Sequence, residues 1–312
     1  MRVVAALGGN ALLRRGQPMT ADVQRENVRA AARALEEIVD AGHDLVVTHG
    51  NGPQVGLLAL QGTAWKPGEA YPLDVLSAET EGMIGYLIEQ ELSNLLPPAR
   101  SCATLLTQIE IDPNDPAFGR PDKPIGPLYG EDEAKALADS HGWSVAPDGS
   151  GWRRVVASPL PKRILEIGAI EMLVGQGVVV ICAGGGGIPV IDRGAGGFIG
   201  VEAVIDKDRA SALLAEQLGA RALLLLTNVP AVYTGWETPD ARPIRRAAPD
   251  ALRTLAFAPG SMAPKVEAAC AFAERTGRFA GIGRLQDASA ILRQEAGTIV
   301  TGEASGIEWA GD

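Results

Sequence analysis

Three short apolar runs in this 312-residue chain each stop on a cluster of glycines, and that repeated junction limits the fold more than any other feature. The first run is Val3–Leu7, followed by Gly8-Gly9-Asn10-Ala11. The second is Leu45–Thr48, followed by His49-Gly50-Asn51-Gly52-Pro53-Gln54. The third is Val178–Cys182, followed by Ala183 and then Gly184-Gly185-Gly186-Gly187. Apolar runs of this length without alternation suit strands buried on both faces, as in a parallel sheet. Glycine immediately after such a strand lets the backbone turn sharply and come close to a ligand.

The rest of the chain continues the alternation. The spacing of apolar residues predicts helices over Val23–Asp40, around Glu79–Leu95, and over Ile164–Leu173, Arg209–Leu218 and Lys265–Arg275. Further strands are expected over Ala103–Ile109, Ala222–Thr227, Ala280–Ile282 and Thr298–Val300. Strands alternating with helices imply βαβ units, so the expected fold is α/β: a three-layer αβα sandwich on a mainly parallel open sheet. The pattern breaks between about Asp112 and Pro161, where Pro, Gly and Asp crowd around Lys123-Pro124-Ile125-Gly126-Pro127. A structureless loop of that length is unusual in a compact domain. The stretch reads as an inserted, lid-like subdomain (residues 112–161) within a single domain spanning 1–312.

Composition excludes several function classes. A net charge of −10 argues against a nucleic-acid surface, which needs clustered cations. No stretch approaches the roughly 18 uninterrupted apolar residues of a membrane helix, and the first apolar run is too short for a secretory signal, so a cytoplasmic protein is expected. Cys102, Cys182 and Cys270 lie far apart and give neither a disulfide framework nor a metal spacing. His43, His49 and His141 are equally scattered, so no metal ligand is expected from protein side chains. Only six of the 28 basic residues are lysines, which draws attention to lysines inside Gly- and Pro-rich loops.

Two of those lysines stand out. Asp206-Lys207-Asp208 opens a helix, where the dipole disfavours a lysine unless an anion is near. Lys265 follows Gly260-Ser261-Met262-Ala263-Pro264 at another helix start. The glycine loops after successive parallel strands would lie side by side at the carboxyl edge of the sheet, where open α/β folds bind ligands. Pro53 at a helix start completes an anion site of the helix-N-terminus type at Gly50-Asn51-Gly52. Four consecutive glycines, Gly184 to Gly187, exceed what a turn requires and point to close approach of a polyphosphate. A Walker A motif is absent, as are the protein-kinase set and a Rossmann fingerprint.

These segments, in this order, resemble the amino acid kinase family, and within it the carbamate kinases. The strings that carry the likeness are His49-Gly50-Asn51-Gly52-Pro53-Gln54-Val55-Gly56, Lys123-Pro124-Ile125-Gly126-Pro127, Trp152-Arg153-Arg154-Val155-Val156, Gly200–Asp208 and Gly260–Lys265. The resemblance implies phosphoryl transfer between ATP and carbamate, with Mg²⁺ accompanying the nucleotide and a homodimer as the assembly. It implies ATP synthesis from carbamoyl phosphate and ADP, and leaves open whether arginine, agmatine or purine breakdown supplies the substrate. By the same likeness Gly8, Gly9 and Asn10 contact the transferring phosphoryl group, and Gly50, Asn51 and Gly52 hold the carbamate end. Lys123, Lys207 and Lys265 with Asp206 form the catalytic set. Gly184, Gly185, Gly186, Asp208, Tyr233 and Lys265 serve the nucleotide. Asp122 stands where the family often has Thr, and Asn228 where it often has Asp. Two other readings stand beside this one: another small-molecule kinase of the same fold, or a catalytically silent nucleotide-binding regulator.

Overall fold

A computed structural model describes residues 1–13, 17–18, 20–66, 71–258 and 261–311; the side chains of Asn10 and Ala11, and the backbone of Pro259 and Gly260, lie outside that description. Its centre is one large sheet. The strands are β1 (Arg2–Leu7), β2 (Asp44–His49), β3 (Cys102–Thr104), β4 (Val179–Ile181), β5 (Ala222–Thr227), β6 (Val232–Thr234), β7 (Arg242–Ala247), β8 (Phe279–Arg284), β9 (Thr298–Val300) and β10 (Ile307–Trp309). They lie in the order β6-β7-β9-β8-β5-β1-β2-β4-β3, with β10 beside β7. From β8 through β5, β1, β2 and β4 to β3 every pairing is parallel; antiparallel pairs occur only towards the β6 edge.

The alternation of side chains along β1 divides the core in two. Val4 and Ala6 face a cluster with Leu214, Leu223, Ala269 and Phe272, under α4 (Lys207–Gln217) and α5 (Met262–Thr276). Val3, Ala5 and Leu7 face the opposite cluster with Leu35, Ile38, Ile84 and Ile88. That side is covered by α1 (Ala21–Asp40) and α3 (Leu73–Ser93). Val3 to Leu7 are wholly inaccessible to solvent, which is why the run has no polar alternation. Helix α1 shows the logic of the outer layers. Thr20 caps it, accepting the Val23 N–H, and Val28, Ala31, Leu35 and Ile38 recur on the buried face.

Two expected elements resolve differently. The run Ala103–Ile109 is two strands in two sheets: β3 ends at Thr104, and Gln108–Ile111 joins a second, four-stranded sheet with Pro161–Ile164, Ile188–Asp192 and Phe198–Gly200. The chain changes sheet at Thr107, whose N–H leaves the ladder to bond the Glu81 carboxylate at 2.9 Å. The segment Ile164–Leu173 begins as a strand; its helix starts only at Ile167. Glu166 forces the break by accepting the Gln108 backbone N–H at 2.7 Å and the Gln108 amide at 3.0 Å.

Residues 112–161 hold regular structure rather than loop. Lys123–Tyr129, Gly151–Val156 and Ser144–Asp148 form a separate antiparallel sheet, and helix Glu131–His141 packs against it. Its Ile125 and Val156 join Val55, Leu73, Leu76 and Val204 in a small apolar cluster of their own. The contact is close because α2 (Gly52–Trp65) and the insert meet glycine on glycine, with the Gly126 backbone lying where a Gly56 side chain would be. No described helix is long and apolar enough to cross a membrane.

Candidate active site

Because β1, β2, β4 and β5 are parallel, their carboxyl ends share one edge, and the loops after them wall a single cavity of about 770 Å³. Gly8 and Gly9 open that wall. The Gly8 N–H bonds the Leu226 carbonyl at 2.9 Å, and a side chain on Gly8 would sit 2.9 Å from that same oxygen. The next loop is locked to the first, since the Gly50 N–H reaches the Leu7 carbonyl at 3.1 Å. Gly50, Asn51 and Gly52 also line the cavity. Asn51 is buried and donates its amide to the Thr80 hydroxyl at 2.8 Å. The side chain of Asn10 lies outside the described residues.

Three lysines from three distant segments converge on this edge, each held by an aspartate. Lys123, from the insert, reaches the Asp206 carboxylate at 2.5 Å. Lys207 and Lys265 share Asp208, at 2.5 and 2.9 Å on its two oxygens. Asp206 is also the N-cap of α4: its other oxygen accepts the Asp208 N–H at 2.9 Å and the Arg209 N–H at 3.3 Å. The Asp-Lys-Asp triplet is thus a cap, a cation and a bridging carboxylate, each at its own position.

Burial works to raise the pKa of both aspartates, and the lysines overrule it. Lys123, supported by Lys207, holds Asp206 below the usual carboxylate range. Lys207 and Lys265 hold Asp208 well below it. For Lys207 burial wins; its pKa lies below the ordinary lysine value, with Asp208 opposing the fall and Lys265 adding to it. His49, at the end of β2, is pushed down to about 4 by burial, against the pull of a hydrogen bond to the Gly50 carbonyl and with Lys207 lowering it further. Its ring is neutral near pH 7.

The four consecutive glycines divide between the cavity wall and the packing behind it. Gly185 reaches the cavity wall; Gly184 and Gly186 do not. Each of the four abuts a neighbour that leaves no room for a side chain: Gly184 the His49 ring and Glu81, Gly185 the Asn51 carboxamide, Gly186 the Ile205 carbonyl, and Gly187 the side chain of Ile109. Gly185, Gly186 and Gly187 also have positive φ, which glycine alone adopts freely. Packing therefore accounts for the glycine excess. The loop is a wedge between Asn51 and the start of α4.

At the far end, Tyr233 lines the cavity, meeting the Trp236 ring edge-on at 5.0 Å. Trp236, Glu237 and Phe257 also line the cavity and are not apparent from the sequence. A tryptophan two residues past a glycine-free strand looks like any exposed loop residue; only the turn at Gly235, with φ +60, brings it back over Tyr233. Asn228 is part of the same wall. Among the described residues no group of three or more His, Cys, Asp or Glu side chains is placed to hold a metal ion.

The comparisons with known proteins bear on this geometry. The amino acid kinase family model matches residues 1–280. The carbamate kinase of Rhizobium meliloti (strain 1021) is 58% identical over 311 residues, covering 99% of this chain and 96% of that protein. The chain belongs to the carbamate kinase family. A second member, from Haemophilus influenzae, is 55% identical over 99% of both chains. Among solved structures, carbamate kinase from Giardia lamblia bound to AMP-PNP superposes with a TM-score of 0.88 at 40% identity, over 96% of this chain and 98% of that one. A family member with an α/β fold and a parallel-dominated sheet is what the opening alternation of strands and glycine loops anticipates.

Proposed function

We propose that the chain catalyses reversible phosphoryl transfer between ATP and carbamate, equivalently between carbamoyl phosphate and ADP, without a covalent enzyme intermediate. One observation carries the reading: Lys123, Lys207 and Lys265 meet two carboxylates at a cavity also lined by the Gly8-Gly9 and Gly50 backbone, with Gly50 against the Lys207 side chain. Phosphoryl transfer needs alignment and neutralisation of the charge spread over the equatorial oxygens, and little covalent work from the protein. Carbamate is already an anion, so its oxygen attacks phosphorus without a general base.

In this reading the Gly9 amide faces the transferring group, Gly8 and Gly50 keep the wall beside it free of side chains, Asn51 holds the carbamate end, and Lys207 and Lys265 neutralise the phosphates. Asp208 keeps the two ammonium groups apart and aimed. Tyr233 and Trp236 flank the nucleobase, in keeping with the Giardia relative having been solved with AMP-PNP. Mg²⁺ enters as part of the nucleotide; with Asp206 and Asp208 engaged by lysines, the described residues supply no ligand set of their own for it. Residues 112–161 act as a lid that brings Lys123 over a very small substrate and excludes water. The family likeness further supports a homodimer in the cytoplasm, and the exposed Met83 and Tyr86, three residues apart on α3, offer an apolar stripe for such a contact.

The test is ATP formation from ADP and carbamoyl phosphate with Mg²⁺, in a coupled assay. Lys207→Ala and Lys265→Ala should each lower kcat/KM by about 10²–10³-fold, the size expected for one preorganised donor. A folded wild type that makes no ATP overturns the activity; unchanged rates in both variants overturn the site.

A further inference from the structure

Helix α3 carries two adjacent buried polar side chains that the transfer chemistry does not use. Thr80, fully buried, holds the Asn51 amide. Glu81 is 1% exposed; one carboxyl oxygen accepts the Thr107 N–H at 2.9 Å, and the other has no hydrogen-bond partner among the described residues. The Thr107 hydroxyl in turn accepts the Ala183 N–H at 2.9 Å. Ala183 enters the tetraglycine loop at φ 50, ψ 36, a left-handed conformation that a non-glycine residue keeps only when its surroundings impose it. Glu81 also borders the loop directly, its Cγ lying 3.0 Å from where a Gly184 side chain would begin.

That loop separates two parts of the cavity wall. Gly185 abuts the Asn51 carboxamide, and Gly186 abuts the Ile205 carbonyl, with the Lys207 amide nitrogen 3.3 Å from where a Gly186 side chain would begin. We propose that Glu81 is a positioning residue for phosphoryl transfer: through Thr107 and Ala183 it fixes the tetraglycine loop, and through the loop the spacing between Asn51 and the start of α4. The inference rests on the transfer reaction proposed above. Burial pushes the Glu81 pKa well above the ordinary range, with the charge of Glu166 adding to the rise and the Thr107 and Gly184 backbone N–H groups opposing it. The other titratable groups nearby are the neutral His49 ring and the buried Cys182 thiol. The Thr107 N–H needs only an acceptor oxygen on residue 81, which a glutamine amide also supplies.

The experiment compares wild type with Glu81→Gln, Glu81→Ala, Thr107→Val and Thr107→Val/Ala183→Gly. Steady-state ATP formation and urea unfolding are both measured, and rates are expressed per folded molecule. Wild-type activity comes first, so failure of the reaction itself is seen separately. Glu81→Ala and Thr107→Val should lose about tenfold or more in kcat/KM, the scale of one buried N–H left without its acceptor. Glutamine, which keeps a carbonyl acceptor and no charge, should restore kcat/KM to within about threefold of wild type. Glycine at 183 adopts the left-handed turn unaided and should recover part of the Thr107→Val loss. The proposal is overturned if folded Glu81→Ala matches wild type, or if Glu81→Gln is as impaired as Glu81→Ala. Should Glu81→Ala fail to fold, a Thr107→Val enzyme with wild-type kcat/KM overturns it instead.

Discussion

Replacing Asp208 by asparagine removes one negative charge and leaves the shape of the site almost unchanged. Asp208 is 3% exposed and is the shared partner of Lys207 and Lys265, whose side chains are themselves only 13% and 12% exposed. Breaking a buried ion pair from one side costs about 3–5 kcal/mol, because the partner charge stays behind unmatched. Here two ammonium groups are left together, so the loss belongs near the top of that range. Lys207, already below the usual lysine pKa, is lowered further when the Asp208 charge that opposes the fall is removed. Urea unfolding without nucleotide should therefore show Asp208→Asn less stable by about 4 kcal/mol at pH 7. The pH dependence has a definite sign. The folded-state pKa of Asp208 is depressed, so its contribution is complete above the unfolded value of about 3.9 and disappears as pH falls through the lower folded value. The difference between wild type and variant should shrink accordingly on acidification. ATP formation should fall by about 10²-fold or more. A variant within about 1 kcal/mol of wild type in stability and within about threefold in rate would refute the account of Asp208 as the charge that organises both lysines.

Gly56→Ala should force the insert away from α2, since the new methyl overlaps the Gly126 backbone; a loss of about 1–3 kcal/mol and a raised KM for carbamoyl phosphate are expected, read by thermal melting and steady-state kinetics. Tyr233→Ala should raise the KM for ADP by about 5- to 100-fold, the worth of one base–aromatic stack, and leave that for carbamoyl phosphate alone. His49 should show no titration between pH 5 and 8 by NMR and protonate only near pH 4. Its folded pKa lies below the unfolded value, so stability is lost as pH falls from about 6.5 towards 4, and His49→Gln should lack that component.

The central strands were legible because burial on both faces leaves an unbroken apolar signature; β1, β2, β4, β5 and β9 lie where those runs predict. The two elements read differently share one cause. Strand pairing is decided across the chain, so the run through Thr107 shows no mark of a sheet change that depends on Glu81, far earlier in sequence. The segment Ile164–Leu173 likewise hides a strand end that depends on Gln108. At the site, lysines announced themselves by rarity and by standing at helix starts, whereas Trp236, Glu81 and Thr107 have no local signature. Their importance lies in neighbours brought near by folding, and a buried glutamate in an apolar helix face looks in sequence like any solvated one.

The crowding around the tetraglycine loop has a further consequence for reading relatives of this protein. Glycines 184, 186 and 187 admit no side chain because of His49, Glu81, Ile109 and the Ile205 carbonyl, which take no part in the transfer itself, so selection would keep them in any descendant that still folds, active or not. A lineage that gave up catalysis but kept nucleotide binding would retain that string and drift first at Lys123, Lys207 and Lys265, whose charges the scaffold must otherwise neutralise. Invariance in those glycines would report architecture, and on the proposed function drift at the lysines would report lost chemistry.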